Sequence, residues 1–430
     1  MKKVLLILGV VSYCLSIVAK AQAPFTTMDS IDINHLRANV LMHGDMWYDP
    51  EILRYPGTSA RCYATNDSEN VSDGGGLWVG GYDANRRLHI SAETYLGAGV
   101  DFWPGPLDGN DTLTYSTSQN WAKIWKVYNT DIQQFQQSTV HTEANTPLSI
   151  LTWPGKGNGY ATGNNGVLLT INEDMAPFVD INGNGIYEPL LGEYPDIKGD
   201  EALWWIWSDN GPTHNSTNGD PLDIEIHAMA YGYNGGTLID NVIYYEYTIV
   251  NHSANSYNNF RFAHWDAAEI LYPFSNFIGF DSLWRMGINY TLNDNGGGGG
   301  NPPRYRSVMS AITFIDLPGD TGSSYLPAGS FTYYNNDSSI IGFPFIDTQF
   351  NNYMRSKLKN GTHVTNDFIG RGIPSTEYGS GPECNYVYSG DPGDTTQWSE
   401  CNCNNSPGDR NYVLSSSDCY VEKQSANMWE

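Results

Sequence analysis

Short runs in which apolar and polar residues alternate, closed off by Gly, Asn, Asp or Pro, recur along most of this chain. A period of two puts successive side chains on opposite faces and belongs to β-strands rather than helices. The clearest run is Asp223–Met229, which places Ile224, Ile226 and Ala228 on one face. Glu225 and His227 fall on the other, expected to be solvated. Val242–Val250 is dense in Tyr, Ile and Val, and a polar turn over 251–259 leads from it to a further antiparallel strand, Phe260–Trp265. Gly76–Tyr82 and Leu88–Ser91 read as a hairpin around Asp83-Ala84-Asn85, and 307–315 as another strand. Helical spacing is confined to 119–137, where Trp121, Ile124, Trp125, Tyr128, Ile132 and Phe135 recur. The expected fold is mainly β: antiparallel sheets in β-sandwich-like domains with long Gly/Asn/Pro-rich loops and at most one or two short helices.

Composition supports this reading. Charged residues make up 16% of the chain, against about 25% in an average domain, so long Lys/Glu-rich helices are scarce. Aromatics at 13% offer enough apolar surface to exclude disorder. A length of 430 residues implies more than one domain. A Gly/Asn-rich stretch over 155–165 suggests a boundary near residue 170, giving domains over 22–170 and 171–417. The run 293–303 (NDNGGGGGNPP) reads as a loop tip.

The formal net charge is −25. Such a surface repels phosphate backbones, so nucleic acid is excluded as a partner class, whereas divalent cations suit it. Lys2 and Lys3, the apolar run Val4–Val18 and the small residues of Ala19-Lys20-Ala21 form an export signal, with cleavage expected after Ala21. No later segment is apolar for long enough to span a bilayer. Beyond the leader lie Cys62, Cys384, Cys401, Cys403 and Cys419. Export permits disulfides, but Cys401 and Cys403 are too close in sequence to bridge each other comfortably.

One stretch carries metal chemistry. Residues 180–189 read DINGNGIYEP. Asp180, Asn182 and Asn184 alternate, Gly185 sits where a calcium loop turns sharply, the Ile186 carbonyl follows, and Glu188 is two residues on. Leu191 stands where the usual bidentate glutamate would be, so Glu193, Asp196 or Asp200 must complete the shell. The other reading is an Asx-rich turn without metal. Downstream, Trp204, Trp205 and Trp207 form either a platform for glycan stacking or a strand packed on both faces, and a solvated loop accounts for Asp209 and His214. There is no HExxH, no G-x-S-x-G and no phosphate loop, so no catalytic residue is assigned. Glu225, Glu246 and Asp266 are the carboxylates a hydrolase would have to use, with Glu246 expected to be partly buried among tyrosines.

A set of motifs resembles a known group. GGGLWVGGYD (74–83), HISAETYLGAGVDFWPGPLDG (89–109), APFVDINGNGIYEPLLGEYPDIKGDEALWWIWSDNG (176–211), PLDIEIHAMAYGY (221–233), NVIYYEYTIVNHSANSYNNFRFAHWD (241–266), SFTYYNND (330–337) and NYVYSGDP (385–392) are similar to the large secreted proteins exported by the type IX, gliding-associated secretion system. The resemblance implies a secreted or cell-surface protein with adhesion-like β-modules and a C-terminal sorting domain. It also implies an acidic cation site after Asp266. Asp266, Glu269 and Asp281 remain there, while Ser275 and Asn276 stand where acids are expected, which weakens that second metal candidate. The segment 418–430 departs from the pattern and lacks the sorting domain, as a truncated or frame-shifted end would, and such a chain would stop in the periplasm. The expected role is structural or adhesive, stabilised by calcium, with extracellular glycans or other surface proteins as partners. A carbohydrate-binding module or a secreted hydrolase of polysaccharide or peptide are the alternatives.

Overall fold

The computed structural model describes residues 25–48, 62–64, 71–94, 99–270, 276–291, 309–315, 328–366, 382–394, 396–403 and 410–423. The expected leader, the glycine-rich run 293–303 and Ser275 lie outside them. The fold is mainly β, as the alternation implies. One antiparallel sheet of six strands runs in the order β17 (Ala328–Tyr334), β18 (Arg410–Ser416), β13 (Tyr257–Ala268), β4 (Gly74–Tyr82), β5 (Leu88–Ala92), with β19 (Cys419–Val421) also paired to β13. A second, of five strands, runs β12 (Ile243–Asn251), β11 (Ile224–Gly232), β10 (Glu201–Ser208), β6 (Trp103–Pro104), with β7 (Trp125–Tyr128) also on β10. Smaller sheets join β1 (Met28–Ile31), β2 (Leu36–Leu41) and β3 (Cys62–Ala64), then β14 (Phe277–Asp281), β15 (Met286–Tyr290) and β16 (Met309–Ile312). A two-stranded ladder joins β8 (Phe178–Val179) and β9 (Tyr194–Pro195).

The two large sheets bury a shared core. Leu77 and Val79 of β4 and Phe260 and Phe262 of β13 meet Leu203, Trp205 and Trp207 of β10 and Ile224, Ile226 and Ala228 of β11. The predicted face of Asp223–Met229 is therefore the inner one. The outer faces are also covered. Trp204, Ile206 and Met229 pack under Trp121, Trp125, Ile150 and Trp153, while Trp78 and Trp265 pack under Phe350 and Tyr353 of the helix Asp347–Tyr353. Sheets covered on both faces read as continuous apolar runs, which explains Leu203-Trp204-Trp205-Ile206-Trp207.

Several expectations about organisation change. Strands from both sides of residue 170 share both large sheets: β4 pairs with β13, and β6 and β7 pair with β10. The boundary there does not separate two sheets. The helix expected over 119–137 is instead a helix (Tyr115–Trp121), the strand β7, and a second helix (Asn129–Gln136). Trp125 and Val127 alternate into the core and their backbone extends the edge of β10, which outweighs a helical spacing of low propensity. The hairpin at Asp83 is present, with Tyr82 paired to Leu88 and the Asp83 carboxylate accepting from the N–H groups of Asn85 and Arg87. The strand after 251–259 crosses to the opposite sheet instead of pairing with β12. Residues expected to begin an atypical tail are built into the fold: Asp418 pairs with Arg261 and Arg355, and Cys419 and Val421 align with β13. Among the described residues, no helix is long and apolar enough to cross a membrane.

Candidate metal centres

The segment 180–193 is a loop closed at its base by β8 and β9, where Val179 pairs with Tyr194. Tyr187 anchors it from below. Its ring is buried against Phe178, its hydroxyl donates to the Ile150 carbonyl at 2.8 Å, and its N–H donates to the Lys156 carbonyl at 2.7 Å. Above this anchor the backbone folds around Asp180, whose two carboxylate oxygens accept from Gly183 and Gly185 N–H, each at 2.7 Å. Gly185 has φ 74°, the left-handed conformation that a sharp turn requires. The amide oxygens of Asn182 and Asn184 accept from the N–H groups two residues on, and both amide nitrogens donate to Glu188. Backbone N–H groups, led by that of Gly185, hold the Asp180 carboxyl below its ordinary pKa.

Of the three acids proposed to complete the shell, Glu193 is the one brought to the loop. It is fully buried beneath it and accepts from Ile181 N–H at 3.2 Å and Glu188 N–H at 2.7 Å. Burial, and then the charge of Asp180, push its pKa up. Asp196 is exposed, and Asp200 accepts from Asn234 N–H instead. Each Asp180 and Glu193 oxygen takes a backbone N–H and keeps lone-pair capacity, while one Glu188 oxygen takes both amide nitrogens. Together with amide and backbone oxygens, the loop is an all-oxygen environment of the kind a hard cation takes.

The other predicted sites do not assemble. Trp204, Trp205 and Trp207 are 1%, 0% and 0% exposed, so none offers a ring face to a sugar. Asp266 is buried between Ser72 and Tyr412, each donating a hydroxyl at 2.7 Å to a different carboxylate oxygen. Burial pushes its pKa up to about 7 against those two donors. Asp281 lies at the turn between β14 and β15, where it accepts from Leu283 and Trp284 N–H. Asp266, Glu269 and Asp281 therefore form no common cation site among the described residues. Glu246 is exposed and pairs with Lys198. Glu225 is not solvated: it is 2% exposed, bonded to His227 at 2.6 Å, faced by His252 at 3.5 Å, and accepts from Leu107 N–H. Burial alone would raise its pKa, but the two imidazoles bring it down to about 2. The three carboxylates reserved for a hydrolase thus have separate partners.

Asp209 and His214, expected in a solvated loop, instead belong to the interior. Asp209 is fully buried and takes the Ser91 hydroxyl at 2.7 Å together with Leu222 and Ile224 N–H. Ser91 Oγ is also 2.9 Å from His214 Nε2, and His214 Nδ1 faces Asp101 at 3.5 Å. That order of serine, histidine and aspartate is the one a hydrolase uses. Here Ser91 is fully buried and its hydroxyl also bonds to Asp209, so the row sits inside the core.

Beside Asp101 lies a third group. His43, Asp45 and Glu93 each contribute a ligand atom within 4.8 Å of the others. They are 2%, 2% and 3% exposed. His43 and Asp45 come from the tight turn after β2, closed by Leu41 N–H to the Asp45 carbonyl at 2.8 Å. Between them Gly44, at φ +98°, has room for no side chain, because a Cβ would stand 3.0 Å from the Trp207 ring. Glu93 follows β5, and Gly76 of β4 leaves space for its Cβ. Burial lowers the His43 pKa and raises those of Asp45 and Glu93 well above the carboxylate range, with Asp101 raising Glu93 further. Sequence reasoning missed all three; His43 and Asp45 merely flank a glycine, and Glu93 joins them through the β4–β5 hairpin. No protein-family model, curated protein or solved structure matches this chain.

Proposed function

We propose that this is a secreted or cell-surface β-protein with a structural or adhesive role, and that its 180–193 loop takes a calcium ion. The observation that carries the reading is the Asp180 carboxylate held by Gly183 and Gly185 N–H directly above the buried Glu193. A loop with this acid placement gains rigidity from a hard cation that bridges its oxygens. The net charge of −25, the leader-like N-terminus and the similarity to type IX-exported surface proteins agree with an extracellular setting. The glycan-stacking alternative loses its tryptophan platform, and the hydrolase alternative loses convergent carboxylates. The role is tested by fractionating the source cells and treating intact cells with protease. Protein in the envelope or medium, cleaved by external protease, is the expected result; protein confined to the cytosol contradicts it.

A further inference from the structure

We propose that His43, Asp45 and Glu93 form a buried site for a divalent first-row transition metal such as Zn²⁺. The argument starts from atoms without partners. His43 Nε2 and Asp45 Oδ2 are both buried and neither has a hydrogen-bond partner. The nearest approach of His43 to Glu93, Nδ1 to Oε2 at 3.8 Å, is too long for a hydrogen bond. Changing the protonation state does not help. A protonated Asp45 Oδ2 would be a donor with nothing to accept from it, and His43 Nε2 lacks a partner as N or as N–H. Buried groups left in this way are expensive, at about 1–3 kcal/mol each and more when charged.

Charge points the same way. Among the described residues no Lys or Arg pairs with Asp45 or Glu93, and the carboxylate of Asp101 adds to the negative field at Glu93. Two carboxylates neutralise one divalent cation, and a neutral imidazole supplies the third ligand without further charge. A cation at this point would take up the unpartnered Asp45 oxygen and remove the repulsion together. Ligand type selects the metal. Calcium takes oxygen ligands, whereas one imidazole with carboxylates suits zinc and its first-row neighbours. Because the residues are shut away from solvent, the role assigned is structural, tying the turn after β2 to the end of β5. Trp207, whose indole N–H is buried without a partner, closes the turn on its other side.

The test uses the purified full chain. Metal analysis after growth with added Zn²⁺ and exhaustive dialysis is expected to find about one equivalent per chain, the stoichiometry of a single site. Near-isosteric Asp45→Asn and Glu93→Gln should each lower retained zinc at least tenfold, while Glu246→Gln, at an exposed ion pair, should leave it unchanged. If those variants fail to fold, X-ray absorption on the zinc-loaded wild type decides. A shell of one imidazole with oxygen donors is expected; a shell with sulfur, with no imidazole or with several places the metal elsewhere and overturns the proposal. Failure of the wild type to retain Zn²⁺, or retention undiminished in folded Asp45→Asn, also overturns it.

Discussion

The loop at 180–193 and the interior around residue 45 both gather acidic side chains, but they treat them in opposite ways. In the loop, Asp180 and Glu193 each receive backbone N–H donors, so the charges are met locally by the fold itself. In the interior, Asp45 and Glu93 are buried beside Asp101; Glu93 takes a single backbone N–H, that of Thr94 at 3.2 Å, and Asp45 Oδ2 is unmet. N–H donors favour the ionised form of a carboxylate, whereas burial with too few of them favours a proton or a metal. The first arrangement suits reversible binding of calcium; the second suits a resident ion.

The comparison would break if buried acids in general tolerated loss of their partners. Glu225 is the strongest case, because it holds two imidazoles and a backbone N–H. Replacing it by alanine should destabilise the protein by about 3–5 kcal/mol, as for other buried ion pairs broken on one side. Urea unfolding at neutral pH measures this, and a loss below about 1 kcal/mol would mean that the histidines find water instead. Since the folded pKa of Glu225 lies at about 2, below its unfolded value, its contribution is present above the unfolded pKa and vanishes as pH falls through 2.

Asp266 sharpens the contrast with the opposite sign. Its folded pKa of about 7 lies above the unfolded value of 3.8. The folded state therefore holds a proton that the unfolded state releases, and stability declines from about pH 4 to pH 7 before levelling. The gap corresponds to about 4 kcal/mol at most. The stability difference between wild type and Asp266→Asn should follow that curve, and a difference independent of pH over this range would show that Asp266 is ionised throughout. At the surface the effect should nearly disappear. Glu246→Gln, which breaks an exposed pair with Lys198, should change stability by less than about 1 kcal/mol, and a larger loss would show that surface charge matters to this fold as interior charge does.

How much could be read in advance follows from the range of the contacts. Alternation at Ile224, Ile226 and Ala228, the turn at Asp83 and the loop around Gly185 are set by neighbours a few residues away, and all three appear as expected. Trp125 satisfies helical spacing with Trp121 and strand alternation with Val127 equally, and only the edge of β10 decides between them. Glu225 and His227 look solvent-facing on their own strand, because nothing local announces the layer that covers them. His43, Asp45 and Glu93 are brought together by a turn and a hairpin that pack across sequence, so their meeting has no local signature.

The most direct test of calcium at Asp180 is a thermal melt of the protein in calcium and in EDTA, run beside Asp180→Ala. A site filled at 100 times its Kd adds about 2.7 kcal/mol to the folded state. A rise in Tm of several degrees with calcium, absent from Asp180→Ala, is the predicted result. An equal rise in both proteins, or none in either, would contradict it and leave 180–193 as a turn closed only by its own hydrogen bonds.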